Sequence, residues 1–128
     1  MSRSERGSAV VGFAMVVVPL VVLVLATVQA VAYLRLRDLV AAAAEQGARA
    51  GAAAGASTRD GAALADAVLD RSLPAGARGA IRCTGAEEGT GEVTLVVVRC
   101  EGSMPAIVPV PRAHLPVRST AHVPREGR

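Results

Sequence analysis

The chain has 128 residues, room for one modest domain, and with one Phe, one Tyr and no Trp its core must be filled by Val, Leu and Ala. All 14 basic residues are Arg; they exceed the 11 acidic ones, for a formal net charge of +3, but are scattered from Arg3 to Arg128. A nucleic-acid face clusters its basic groups and interleaves aromatics, so this charge excludes nucleic acid as the expected partner.

From Gly7 to Leu34 no residue is charged, and Arg6 and Arg35 bound the run. Phe13 to Leu34 alone is 22 residues, roughly 33 Å of helix, enough to cross a ~30 Å hydrocarbon core. Thirteen of these residues are Val, Leu or Phe, each favouring insertion by about 0.3–0.6 kcal/mol at the centre of a span. Pro19, Thr27 and Gln29 subtract from that total without cancelling it. The expected organisation is therefore a basic leader over 1–7 and a transmembrane helix over 8–34. No Gly or Pro lies between Pro19 and Gly47, so the helix is predicted to run on through an Ala/Gly-rich extension, 35–56. A cleaved secretory signal is the competing reading: Arg3 and Arg6 precede the apolar run, and Val28-Gln29-Ala30 or Ala30-Val31-Ala32 offers a cleavage site. The run exceeds the 7–15 residues of a signal core and the helical pattern does not stop at Ala32, which favours a retained helix. Arg3 and Arg6 (with Glu5) balance Arg35 and Arg37 (with Asp38), so the flanking charges alone leave orientation open.

In the extension, Gly47, Gly51 and Gly55 follow Ala43 at four-residue spacing, a stripe of minimal side chains on one helix face. Each helical Gly costs about 1 kcal/mol against Ala, so a solvated helix does not explain three of them. Close approach of another backbone does, either from this chain, the favoured case, or from a neighbouring helix. Gly12 joins them as a candidate helix-packing position.

Residues 57–128 are expected to form a small α+β domain. Ser57 to Asp60 breaks the long helix, and Asp60 or Thr58 can cap a second helix over 62–69, with Leu64, Val68 and Leu69 on one face. Pro74 and Gly76 end it. Strands follow over 78–84, 93–100 and roughly 115–123, with the Gly- and Glu-rich stretch 85–91 read as a hairpin connection. Between Met104 and Pro116, four prolines favour an extended loop or edge. The fold class is thus α+β: a long N-terminal helix, a short second helix and a small antiparallel sheet.

Cys83 and Cys100, the only cysteines, fall on the two strands of that hairpin. Direct opposition would put the turn at Gly91-Glu92. In an oxidising compartment they read as a disulfide; in the cytosol they would be two free buried thiols. Zinc is disfavoured because only His114 and His122 remain as partners. There is no Gly-rich phosphate loop, no paired His and no recognisable nucleophile setting. The chain is therefore expected not to be an enzyme, with no cofactor, no metal and no small-molecule substrate.

The start, Arg6-Gly7-Ser8-Ala9-Val10-Val11-Gly12-Phe13-Ala14, runs into a Val/Leu segment containing Pro19 and on to Ala44-Glu45-Gln46-Gly47-Ala48-Arg49-Ala50. Over residues 6–56 this resembles the TadE-like family, minor pilins (pseudopilins) of the tight-adherence type IV pilus machinery. Beyond residue 56 only the general layout is similar. The resemblance implies cleavage by a prepilin peptidase between Gly7 and Ser8. It also implies a single-pass protein with a cytoplasmic N-terminus and an extracytoplasmic domain, with the bilayer and other pilin or pilus-assembly subunits as partners. The family's membrane Glu falls on position 12, which is Gly here, and Gln46 stands where the second signature has Glu. Gly12 is compatible with a tip or initiating role, where no subunit above needs a charge partner, and equally with a relative that does not assemble. The other reading is a membrane-anchored or secreted envelope domain that binds a protein partner and has no link to pili.

Overall fold

The computed structural model describes residues 3–77, 79–105 and 114–126. A single helix, α1, spans Arg3–Ala52 and contains Pro19. Its N-terminal half stands alone, and from Arg3 onward the expected leader and span are one piece of helix without a break at Gly7 or Ala32. The C-terminal half is the spine of the domain. Helix α2 (Thr58–Ser72) returns antiparallel along it, and three antiparallel strands, β1 (Ile81–Thr90), β2 (Val93–Pro105) and β3 (His114–Pro124), form a sheet in that order against the helix pair. The α+β fold class read from the sequence is the one found.

α1 ends at Ala52 rather than near residue 56. Gly55 adopts φ 80°, the left-handed conformation that lets the chain reverse without a Cβ penalty. Neither Thr58 nor Asp60 is the N-cap of α2; Ser57 is. Its hydroxyl accepts from the Asp60 amide at 3.1 Å while the Asp60 carboxylate accepts from the Ser57 amide at 3.1 Å, a reciprocal capping box. The buried face of α2 is Gly61, Ala62, Ala65 and Leu69, whereas Leu64, expected on that face, is 37% exposed. Small residues face α1 because the two helices approach too closely for anything larger.

The strands are longer than the sequence signals. β1 begins at Ile81 and runs through the whole of 85–90, the stretch expected to connect the hairpin. Thr90 pairs with Val93, leaving Gly91-Glu92 as the two-residue turn, with Gly91 at φ 74°. β2 reaches Pro105, so Met104 and Pro105 belong to the central strand, while β3, an edge strand, starts at His114, close to the expected start near 115; the residues between them, and Arg78, lie outside the described residues. Pro105, Pro116 and Pro124 all lie on the β2–β3 pair.

The core is aliphatic: Val40, Ala43, Ala44 and Ala48 of α1 meet Leu69 and Leu73 and the inward row of Ile81, Cys83, Val98, Cys100 and Val117. Tyr33, the sole Tyr, packs at its edge and donates its hydroxyl to the Pro116 carbonyl at 2.9 Å. This bond holds the start of β3 at the level where the apolar run of α1 ends. At the other end of the domain the Glu126 amide donates to Ala52 O at 3.0 Å, covering a carbonyl the helix leaves open. There the Arg125 guanidinium bonds both Ala56 O, at 3.2 Å, and the Glu87 carboxylate.

Candidate membrane span and helix-packing site

Along the span, every large apolar side chain that could face outward does: Val10, Phe13, Met15 and Val16 are 59–74% exposed together with Val11. The pattern continues to Leu34 at 54%. Monomeric soluble proteins do not leave contiguous apolar surface of this extent in water. Among the described residues, α1 is the one helix long and apolar enough to cross a membrane, and its most apolar stretch has no part buried in the protein. Thr27 keeps the span compatible with hydrocarbon by donating its hydroxyl to Leu23 O, one turn back, at 2.8 Å. Gln29, the other polar side chain there, is buried.

Gly7 and Ser8 sit exposed in the first turns of α1, and a Cβ added at Gly7 would meet nothing within 4 Å. Nothing in the fold requires Gly at that position, so any requirement for it must come from outside the folded chain. The same holds for Gly12, which packs against nothing within this chain.

Two of the three glycines in the stripe are used by the fold. A Cβ on Gly47 would lie 2.5 Å from Gly61 O and 2.9 Å from the Ala65 Cβ; one on Gly51 would lie 3.3 Å from Ser57 O and from Val96. Both therefore face α2, and the favoured intrachain packing is what the structure contains. Gly55 is not part of the site. It lies past the helix end at φ 80°, and a Cβ there would meet nothing within 4 Å; its role is the chain reversal. The periodicity of the stripe continued past the point where the helix stopped.

The site has a partner the sequence reading missed. Gly61, on α2, lies 3.1 Å (measured to an added Cβ) from the Gly51 amide, and its Cβ would overlap Gly47 O. The spacing Gly61-Ala62-Ala63-Leu64-Ala65 carried the signal, a second small-x3-small pair facing the first. Gly85 and Gly102 were also missed; a side chain on either would run into backbone, at Thr58 O and Ala80 O respectively.

Cys83 and Cys100 are directly opposed in the β1–β2 register and joined by a disulfide across a Cα–Cα distance of 4.1 Å. That separation matches the narrow, non-hydrogen-bonded pairing of antiparallel strands, in which backbone amides point away from the partner strand. The Cys83 amide accordingly points to the free edge of β1, where Asp66 Oδ1 of α2 accepts it at 3.0 Å. One carboxylate thus ties α2 to the sheet and blunts an edge that would otherwise invite another strand. The Asp60 carboxyl is held below its ordinary value, first by the Ser57 hydroxyl, then by the Ser57 amide, with a contribution from Arg59. Among the described residues no group of three or more His, Cys, Asp or Glu is placed to hold a metal ion. The side chains that distinguish this protein serve packing and capping, and those from Val10 to Leu34 present an exposed apolar surface.

No family model, curated protein or solved structure matches this chain. Its functional reading rests on its own residues and geometry.

Proposed function

We propose that this chain is a minor pilin of the TadE-like kind, inserted by α1 and taking part in assembly of a tight-adherence type IV pilus or a related secretion apparatus. In this reading the N-terminus is cytoplasmic and the domain carrying the disulfide is extracytoplasmic. A prepilin peptidase cuts between Gly7 and Ser8, and contacts with other subunits are made through the membrane helix.

The observation that carries the reading is the unbroken helix from Arg3 to Ala52. The Arg6-Gly7-Ser8 junction is exposed at one end, a lipid-ready apolar surface follows, and the same helix then becomes the spine of a small α+β domain. A pilin needs this continuity, because its peptidase cuts before the span and leaves the helix attached to the domain. A secretory signal does not need it. The glycine stripe of the domain half is consumed by α2, so contacts to neighbouring helices fall to the exposed residues between Val10 and Leu34. Gly12 removes the carboxylate that would neutralise a neighbour's new α-amino group in hydrocarbon, where an unpaired charge costs at least ~2.5–3.5 kcal/mol. A position at the tip, with no subunit above it, needs no such partner.

N-terminal sequencing of the protein from its native host tests the reading. A start at Ser8 is expected, lost in Gly7→Leu. A start at Val31 or Tyr33 with release of a soluble domain would end it, and an uncleaved start at Met1 would favour a plain membrane-anchored envelope domain. A reporter after Arg128 is expected to be active outside the cytoplasm.

A further inference from the structure

The two ends of the domain differ in chemistry. Where α1 leaves the span, a groove of about 530 Å³ opens between α1, the end of α2 and the sheet. Its walls are apolar, chiefly Leu36, Leu39, Leu73, Ile81 and Met104, and Arg35 lies on its lining. The groove begins at Ala32, still inside the uncharged run, and Ala32 to Leu39 covers ~10 Å of helix. The headgroup layer on each side of a bilayer is about 5–7 Å thick, so the groove straddles that layer.

The end of the domain that carries the groove is basic. Arg35 and Arg37 are exposed on α1, and Arg71 is exposed in the last turn of α2, whose end reaches the groove. Arg82 and Arg118 flank Glu101 in one row on the outer face of the sheet, turned away from the groove because they alternate with inward Ile81, Cys83 and Val117, about 7 Å along the strands from the level that Tyr33 fixes. This end of the domain thus carries five arginines against three carboxylates, Asp38, Asp70 and Glu101, with Glu101 paired to Arg118 at 3.2 Å; of the five, Arg35 lines the groove and Arg71 stands next to Ser72 and Leu73 of its wall. The far end has the opposite sign: Glu87, Glu88, Glu92 and Glu126 gather there with Arg125.

We propose that the groove, with Arg35 and Arg71 on its rim, docks an anionic phospholipid of the bilayer that α1 crosses. The phosphate bonds Arg35, with Arg71 at the neighbouring end of α2, and an acyl chain lies along the apolar walls. Guanidinium is the side chain best shaped to hold phosphate through paired N–H bonds. A hydrophobic partner helix would fill the groove but gain nothing from the rim, and an acidic protein would suit the rim but not the groove. A lipid with an anionic headgroup suits both and is already adjacent, because the groove is continuous with the lipid-facing surface. The inference rests on the membrane span but not on the pilin reading.

The full chain has no Trp, so one introduced residue reports alone. Leu39→Trp and, independently, Met104→Trp place it in the groove; Val93→Trp, at an exposed position by the far turn, is the control. Each protein is reconstituted in phosphatidylcholine vesicles with and without phosphatidylglycerol, the acyl chains brominated to quench Trp. Both groove variants are expected to be quenched well above the control, more strongly with phosphatidylglycerol, and less at high salt. Arg35→Gln in that background is expected to lower the docked-to-undocked ratio about fivefold. Quenching no greater than the control, or equal in both lipids, overturns the proposal, as does protection of the groove by crosslinking to a second copy. A chain that fails to float with vesicles of either composition overturns the span itself, which is a different result from a floating chain without quenching.

Discussion

Gly47→Ala tests whether the glycines of α1 are there for close helix packing. On propensity alone the change should help, since Ala is better than Gly inside a helix by about 1 kcal/mol. The structure reverses the sign. The new methyl would sit 2.5 Å from Gly61 O and 2.9 Å from the Ala65 Cβ, and the first obstacle is backbone that no rotamer change can move. Reaching an ordinary contact of ~3.5 Å requires α2 to retreat by roughly 1 Å, which forfeits a quarter to a half of the dispersion energy along the seam. That seam includes fully buried Val40, Ala44, Ala48, Ala65 and Leu69. Overpacking of a well-filled core costs about 1–3 kcal/mol, and a backbone obstacle favours the upper part of that range. A net destabilisation of about 1–2 kcal/mol is expected after the propensity gain is subtracted. Pulse proteolysis of the full chain in detergent across a urea series reads this directly. With a slope of about 1–2 kcal/mol per M for a small domain, the midpoint should fall by about 1 M. Gly61→Ala should behave alike, because its methyl would meet Gly47 O and the Gly51 backbone. A midpoint that rises in either variant would show that the helices do not approach as described and refute the reasoning.

Other expectations follow from single features. Replacing Cys83 or Cys100 with Ser should cost about 2–5 kcal/mol, because the bond closes a loop of 17 residues in a domain with a small aliphatic core, and both thiols should resist labelling until reduced. Asp60 has a folded pKa below its ordinary 3.8, so its contribution is complete above that value and is lost as pH falls through the lower folded value. Protection of the first turn of α2 against hydrogen exchange, taken relative to the intrinsic rate at each pH, should therefore fall on acidification below about 3.8 in the native protein, and not in Asp60→Asn, which cannot titrate. Arg125→Ala removes the bonds to Ala56 O and Glu87, and should loosen the far end of the domain by about 1–2 kcal/mol, read as faster proteolysis near residue 56.

In the proposed setting the two halves of α1 divide the work. The domain half is committed to α2 and the sheet and has no free face of small residues left to offer, so assembly contacts belong to the membrane half. Variants between Val10 and Leu34 should then affect partner association with little effect on domain folding, and variants at Gly47, Gly51 and Gly61 the reverse.

What the residues determined by themselves were the local and compositional properties. A run from Gly7 to Leu34 without charge, and beyond Gly7 without helix breaker other than Gly12 and Pro19, gives a helix of span length and composition. The absence of Gly and Pro between Pro19 and Gly47 carries that helix into the domain, and Cys83 and Cys100 around Gly91-Glu92 fix the hairpin register. The remaining features depend on contacts distant in sequence. Residues 85–90 carry Gly and Glu and read as a connection, yet they form strand because six consecutive residues of β2, Val93 to Val98, pair with them and because only a glycine at position 85 admits the Thr58 backbone. Gly55 matches the stripe by spacing but not by conformation, since the helix ends at Ala52 where Glu126, from the far end of the chain, takes its carbonyl. Ser57 rather than Asp60 caps α2 because the cap is decided by where the chain turns, and the turn is set by how closely α2 must lie on α1. Gly61 had no meaning until Gly47 stood opposite it. Spacing along a chain can mark a face as small; only the arrival of a second backbone decides that it had to be.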